Sequence, residues 1–524
     1  MNPEYYKEKI KKYGLDNYYV CGIDLGTTNS VISYYTKDGP LAVDVSMGFG
    51  KIPLPSVVQY RSNSNEWIIG EEARQGAALF PHTTFRSIKS FMGTTETFKA
   101  GGRTYKPQEL SAKILAKLVE QIKNLNPNGE LAALVVSVPY DFDDGAKKAT
   151  IEAIDLAGCK DQLICLIEEP KAAALAYSFN QALEQGEKIM IFDFGGGTLD
   201  ITVFEVLKKE KRNLYLKVIA QGGAVNHGGD NVDQIILSHC YKVFKEKTGQ
   251  SEMSAEHKME LSLRVREAKE RLSGIKTHRI PFAFAMPPFM EELTRAAFEE
   301  MLNPFIEKTK KLVQKTLREA NLETWDIHRV LLEGGASGMP WVKENFKLMF
   351  GKDVVYSSPT PALDVSMGAA YYGALKMGLL SAPGMEIPIE IDATLPHDIG
   401  IELNGDNPSF FPIIRKGISY PLAKKSYVFT LSGQDMTTVN LKIMERRNKE
   451  DKLSQCVNIG NLTIGGLPER PGGKTRLKLT LTAEEDSGTI KGSIEDLGFD
   501  EEFAPSGFKR DFDLNRYKNT ILEV

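Results

Sequence analysis

The sequence predicts an α/β chain of two similar lobes followed by a small all-β domain. Three observations carry that prediction. Two stretches read almost alike: Gly22-Ile23-Asp24-Leu25-Gly26-Thr27-Thr28-Asn29 and Ile191-Phe192-Asp193-Phe194-Gly195-Gly196-Gly197-Thr198-Leu199-Asp200. Strand and helix patterns alternate from about residue 18 to 380, the signature of a mixed architecture. Beyond that, short segments alternate at period two and are separated by Gly, Pro, Asn and Asp, the mark of strands and turns.

The elements follow in chain order. Residues 1–17 form an extension rich in Tyr and Lys; it lacks an apolar core and so does not read as a secretory signal. Each of the two similar stretches is an apolar run, an Asp at its end, a Gly/Thr turn and a second strand, Val31 to Tyr35 and Ile201 to Val206. Such turns offer backbone N–H groups and hydroxyls to an anion, because Gly lets the main chain approach closely. The nearby Asp suits a Mg²⁺ ion that keeps most of its waters. A pair of such turns facing each other would grip a nucleoside triphosphate from both sides.

Between them, Leu110, Ile114, Leu115, Leu118, Val119 and Ile122 share one helical face. Leu134 to Val138 reads as a buried strand ending at Pro139, and Gly145 to Ala157 as a helix. Further helices are expected over Ile235–Phe244, Ala255–Leu272 and Pro304–Ala320. Val330-Leu331-Leu332 then runs into Glu333-Gly334-Gly335-Ala336-Ser337-Gly338-Met339-Pro340 and a helical pattern to about Phe350. A strand, a Gly-rich turn and a helix start make a further site for phosphate or nucleoside. No Gly-Lys-Ser/Thr follows, so it is not a P-loop, and the glycine spacing is not that of a dinucleotide fingerprint.

Ser381-Ala382-Pro383-Gly384 breaks the last helix of this region, which spans 18–383. Residues 384–392 form a linker in which Ile387, Ile389 and Ile391 alternate with Pro388, Glu390 and Asp392. An all-β domain follows over 393–498, and residues 499–524 read as a polar tail.

The 524 residues allow several domains, and the formal net charge of −4 gives no reason to expect nucleic acid or anionic membrane. No apolar run is long enough to span a bilayer. Cys21, Cys159, Cys165, Cys240 and Cys456 are scattered without metal spacing. They read as reduced thiols of a cytoplasmic protein. His227 has no Cys or His partner in the sequence and reads as structural.

The three turns, their order and the β-domain behind a short linker resemble the Hsp70 chaperone family. Supporting stretches are Thr84-Phe85-Arg86-Ser87-Ile88-Lys89, Val136-Ser137-Val138-Pro139-Tyr140, Ile167-Glu168-Glu169-Pro170-Lys171-Ala172 and His227-Gly228-Gly229-Asp230. The resemblance runs from about Val20 to Gly498. Actin and the sugar kinases share the nucleotide-binding fold and are the structural alternatives, but neither needs a β-domain behind an alternating linker.

The resemblance implies an ATPase, slow, with ATP/ADP and Mg²⁺ as cofactors. Asp24 and Asp193 would hold Mg²⁺ through water. Gly26, Thr27, Thr28, Asn29, Gly195, Gly196, Gly197 and Thr198 would cradle the phosphates. Lys89 would reach the γ-phosphate, and Glu169, Asp193, Thr198 and Asp200 would complete the hydrolytic cast. Gly229, Gly334, Gly335 and Ser337 would help bind the nucleotide, and Lys269 and Ser273, one turn apart on a helix, would face the adenosine. Pro139 would act as a hinge, with Lys147 where the family has Arg. The implied partners are unfolded or extended polypeptide, a J-domain cochaperone and a nucleotide exchange factor. The alternative is a dedicated nucleotide switch or binding module for one partner with little or no ATPase activity.

The chain also departs from the pattern. Gly338 stands where relatives place an Arg that stacks on adenine, and Arg266 where many have Glu. Lys171 and Glu168 replace Thr and Asn, and Cys165 replaces an Arg that engages J-domain cochaperones. Over the β-domain's peptide arch, Asn404 and Ser432 are polar while Ile401, Phe429 and Val439 stay apolar. No helical lid is expected after the sandwich.

Overall fold

In the computed structural model, the described residues are 3–44, 52–125, 128–180, 183–208, 214–380, 390–391, 395, 397–403, 408–418, 423–447, 449–483, 490–514 and 519–523. They fall into two compact units, 1–140 with 149–391 and 141–148 with 392–524.

The first unit holds two sheets built on one plan. In the first, Tyr18–Asp24 runs antiparallel to Asn29–Thr36 across the first Gly/Thr turn and parallel to Glu130–Val138 on its other side. In the second, Lys188–Phe194 runs antiparallel to Thr198–Lys208 across the second turn and parallel to Arg329–Glu333. Each central strand is buried almost throughout, as its unbroken apolar run requires. The plan therefore places an Asp at or next to the end of each sheet's middle strand, Asp24 or Asp193, beside a turn rich in glycine.

Helices cover these sheets where their apolar faces predict. Pro107–Leu125 buries Leu110, Ile114, Leu115, Leu118, Val119 and Ile122. The third turn leads from Arg329–Glu333 into Pro340–Phe350, with Pro at the helix start, a position where its missing N–H costs nothing. Asp144–Leu156, Gly229–Thr248 and Ala255–Gly274 agree with the sequence expectations. The helix expected from Pro304 begins earlier, at Arg295, with Thr294 as its cap and Pro304 inside.

The N-terminal extension is itself a helix, Pro3–Tyr13. Tyr6 and Ile10 are buried in the first sheet's core, and the Tyr6 hydroxyl donates to Glu130 at 2.9 Å. Burial, reinforced by Glu130, pushes the Tyr6 phenol up to about 12. The linker contributes Glu390–Ile391, which adds as a parallel strand beside Tyr215 and Leu216 at the edge of the second sheet. Ile387, Pro388 and Ile389 lie outside the described residues.

The second unit is a β-sandwich. One sheet has the order 409–414, 398–403, 439–446, 457–465, 519–523, and the other 424–431, 475–483, 490–498, 509–513. Alternate residues such as Leu477, Leu479 and Leu481 face inward and are fully buried, the period-two pattern of a strand with one core face. Residues beyond 498 are not simply a tail: Lys509–Asp513 and Asn519–Glu523 extend both sheets. Lys, Arg, Asp and Glu gave that segment a polar reading, but an edge strand with solvent on one side tolerates them. Ile401 and Val439 are buried in the sandwich core, Phe429 packs half-buried against it, and Ser432 is exposed. Asn404 lies outside the described residues. Among the described residues no helix is long and apolar enough to cross a membrane.

Candidate functional site: a cleft between two Gly/Thr turns

The two similar turns face a single cavity in the first unit. Asp24, Gly26, Thr27, Thr28 and Asn29 line it from one sheet, and Asp193, Gly195, Gly196 and Thr198 from the other. Lys89, Glu169, Gly229, Lys269, Gly334 and Gly335 complete the expected lining. Each turn is braced from behind. The amide of Ser56 donates to Thr28 O at 2.9 Å and its hydroxyl to Gly26 O at 2.8 Å. The amides of Gly229 and Asp230 donate to Gly195 O and Gly196 O at 2.9 and 2.7 Å.

Glycine is required where the turns meet. A Cβ on Gly196 would stand 2.1 Å from Thr28 Oγ1. Gly334 has φ +78°, and a Cβ there would lie 2.5 Å from Asp193 Oδ1. Only a residue without a side chain lets these backbones approach.

The floor of the cavity is acidic. Lys89, on the short 3₁₀ turn Ile88–Phe91, forms a buried ion pair with Glu169. Burial works against the Lys89 ammonium, but Glu169 and Asp24 outweigh it and hold its pKa above the usual lysine value. Burial and the nearby Glu169 carboxylate push Asp24 up to about 7, against the pull of Lys89 and of the Ser137 hydroxyl. Burial, Glu169 and Asp24 likewise raise Asp193 well above the carboxylate range. One lysine thus faces three carboxyl groups, a set short of positive charge. Among the described residues no three His, Cys, Asp or Glu side chains converge tightly enough to hold a metal directly. The carboxyl oxygens of Asp24 and Asp193 are donors that fit a hydrated Mg²⁺, a hard ion that takes oxygen ligands and keeps much of its water.

Other expected residues lie elsewhere. Asp200 is fully buried behind the second turn, and Gly197 lies beside Thr27 and Ser90; neither is in the cavity wall. The Ser337 hydroxyl is turned onto Glu333 O, and Ser273 Oγ donates to Lys269 O at 3.3 Å. Neither serine lines the cavity, because each closes a hydrogen bond four residues back within its own turn or helix. Lys269 lines it but is held by Asp233 at 2.8 Å and Gly229 O at 3.0 Å. Gly338 is exposed with open space around it. His227 is structural: its ring stacks on Phe305 and bonds to Thr309 Oγ1 at 2.8 Å. Burial, with Lys308 nearby, holds that imidazole down at about 4.

Three features escaped the sequence reading. Glu333, beside Asp193 in register, is fully buried, and burial together with Asp364 and Asp193 raises its carboxyl well above the usual range. In the first sheet the equivalent place holds Ser137, whose hydroxyl donates to Asp24 at 3.3 Å. Glu168 and Lys171 form a buried pair at 3.1 Å, with Gln221 donating to Glu168 at 3.2 Å. Asp230 gathers several partners: Ser87 Oγ at 2.5 Å, Arg266 at 3.0 Å and Thr28 Oγ1 at 3.4 Å. The unusual Glu333 was visible as a charge in an apolar strand; Glu168 and Lys171 are only three residues apart, whereas Gln221 and the partners of Asp230 come from far along the chain.

Comparison with known proteins agrees with this geometry. The family model for Hsp70 protein matches residues 20–496. The chain is 33% identical over 490 residues to a Chaperone protein DnaK of Thermosipho melanesiensis, covering 92% of this chain and 78% of the relative. It is 34% identical over 490 residues to that of Thermosipho africanus, with the same coverage of both chains. It is 31% identical over 497 residues to that of Cenarchaeum symbiosum, covering 92% of this chain and 72% of the relative. Two matched turns, a lysine between them, a linker strand and a β-sandwich are thus set in a recognised frame, and the chain belongs to the Hsp70 family.

Proposed function

We propose that this protein is an ATP-dependent Hsp70-type chaperone that hydrolyses ATP slowly and binds extended polypeptide in a nucleotide-regulated cycle. The observation that carries the reading is the single cavity flanked by both Gly/Thr turns, with Lys89 buried between them. Phosphoryl transfer asks mainly for positioning and charge neutralisation; the turns would give the positioning, and Lys89 with a bound ion the charge.

Bound Mg²⁺ would supply the positive charge that the carboxyl cluster lacks. Asp24 and Asp193 would hold its waters. The backbone N–H groups of the two turns, with the Thr27, Thr28 and Thr198 hydroxyls, would orient the phosphates. Lys89 would neutralise charge developing on the transferred group. Glu169 keeps Lys89 in place and would accept hydrogen bonds from the attacking water or from water on the ion. Asp200, buried behind the second turn, is proposed to act by fixing that turn.

The client reading rests on the sandwich and the linker. Glu390 and Ile391 already add to a sheet edge, the mode by which extended segments dock as strands. A J-domain cochaperone and an exchange factor come with the family, but Cys165 is buried and cannot present charge to a partner as an Arg there would. The proposed setting is the cytoplasm, consistent with five free cysteines.

The test is ATP turnover with and without a panel of extended peptides. Peptide-stimulated turnover is expected. Turnover without stimulation would leave a nucleotide switch, and none at saturating ATP and Mg²⁺ would remove the ATPase. Protease protection of the linker in ATP against ADP checks the coupling. Replacing Ile389 and Ile391 with Asp is expected to abolish both the protection and the stimulation while basal turnover persists.

A further inference from the structure

Lys89 sits on a turn with an unusual start. Ser87 precedes the 3₁₀ turn Ile88–Phe91 with φ +52°, a left-handed conformation that is unfavourable for a non-glycine residue. Such a conformation persists where its surroundings hold it. Here the Ser87 hydroxyl donates to Asp230 Oδ2 at 2.5 Å. Asp230 lies in the first turn of the helix Gly229–Thr248, 143 residues along the chain from Ser87. It is anchored in turn by the Arg266 guanidinium at 3.0 Å on its other oxygen, where Thr28 Oγ1 also approaches at 3.4 Å. Arg266 reaches Asp233 at 3.3 Å, and Asp233 holds Lys269 at 2.8 Å. Arg86, next to Ser87, donates to Ser262 Oγ at 2.7 Å, four residues before Arg266 on the helix Ala255–Gly274. The helix that carries Lys269 into the cavity wall therefore grips the Lys89 turn at two places.

We propose that Ser87 and Asp230 are positioning residues for Lys89. Closure of the nucleoside side, made by Arg266, Asp233 and Lys269, reaches the phosphate side through the Ser87–Asp230 hydrogen bond. That bond sets the left-handed turn from which the Lys89 side chain projects towards Glu169. The inference rests on the proposed ATPase, and it gives that reaction a device that links nucleoside binding to the placement of the phosphate-side lysine. Arg266 belongs to this clasp.

The full chain is tested as Asp230→Ala, Ser87→Gly and Ser87→Asn. Glycine accepts the left-handed turn without the hydroxyl. Asparagine also tolerates it and offers an amide donor to Asp230. Two measurements are made: single-turnover hydrolysis over a range of ATP·Mg²⁺, and hydrogen exchange without nucleotide at the Ser90 and Met92 amides, which donate to Ser87 O and Lys89 O at 3.1 Å. For Asp230→Ala and Ser87→Gly, kcat is expected to fall about tenfold with KM within about threefold, the split of a group acting on the transition state. Exchange at the two amides should rise about tenfold in Asp230→Ala, as local opening becomes easier. Ser87→Asn should recover both to within about threefold of the unmutated protein.

Unchanged kcat in Ser87→Gly, or unchanged exchange in Asp230→Ala, overturns the assignment. A rise in KM alone overturns it too and leaves the clasp a binding element. If the unmutated protein shows no hydrolysis, the ATPase reading falls, while the exchange measurement still decides whether Asp230 holds the Lys89 turn. Should Asp230→Ala fail to fold, the two Ser87 variants carry both measurements.

Discussion

The proposed phosphate side and the proposed nucleoside side of the cleft are built differently. The phosphate side is mostly backbone: two hairpin turns of near-identical sequence, packed so closely that Gly196 has no room for a Cβ. The nucleoside side is mostly side chain: Arg266, Asp230, Asp233 and Lys269 form a charged mesh, and Gly338 leaves open space. Backbone packing at van der Waals distance admits few substitutions, because the interior is close-packed. A mesh of ion pairs between side chains, though largely buried, can be rewired one residue at a time. The phosphate side is therefore where change is costly, and the nucleoside side is where this chain has room to differ from its relatives.

The largest expected effect breaks the comparison at its catalytic end. Lys89→Ala should abolish hydrolysis and leave ATP affinity within about threefold, because its charge is assigned to the transferred group. Calorimetric binding and a phosphate-release assay on the same sample check this. Unchanged turnover would take Lys89 out of the mechanism.

Asp193→Ala comes next. Losing one of two water-mediated anchors should weaken Mg²⁺-dependent ATP binding by about 10- to 100-fold, with little change in binding measured without Mg²⁺. Titrations in the presence and absence of the ion separate the two. Equal weakening in both would assign Asp193 to the nucleotide rather than to the ion.

Glycine replacements then compare the two sides directly. Gly196→Ala puts a methyl 2.1 Å from Thr28 Oγ1, so it should part the turns and cost about 1–3 kcal/mol of nucleotide binding or stability. Gly338→Ala meets nothing within 4 Å and should be neutral or stabilise by less than about 1 kcal/mol. Thermal melts with and without ADP read both. If the two variants behave alike, the contrast between the sides is wrong.

The smallest effect sharpens the nucleoside side. Gly338→Arg should tighten ADP binding by roughly 0.5–2 kcal/mol if adenine lies within reach of a stacked guanidinium. Calorimetry showing no gain would place the base elsewhere or show it already held by the Lys269 wall.

Much of this was legible in the sequence because it is local. The two turns, the third Gly-rich turn and the apolar faces of helices such as Pro107–Leu125 are set by neighbours a few residues apart. Their physics is the rotation of a helix, the alternation of a strand and the tolerance of glycine for close approach. The resemblance then assigned Lys89 and Glu169 to one site, and their buried ion pair agrees with it.

The reading stopped where partners are remote or surfaces are ambiguous. Polarity marked residues 499–524 as a tail, yet they supply strands to both sheets of the sandwich; an edge strand needs only one apolar face. Ser273 and Ser337 were assigned to nucleotide binding by their place in a pattern, but each spends its hydroxyl on a nearby carbonyl. Asp230 joins Thr28, Ser87 and Arg266 across 202, 143 and 36 residues of chain. The sequence by itself determined the turns, the glycines and the charge that the cleft carries, because those are properties of short segments. Only the tertiary structure decided which charges face one another, since a buried carboxylate takes its partner from whatever the fold brings within about 3 Å, the reach of a hydrogen bond.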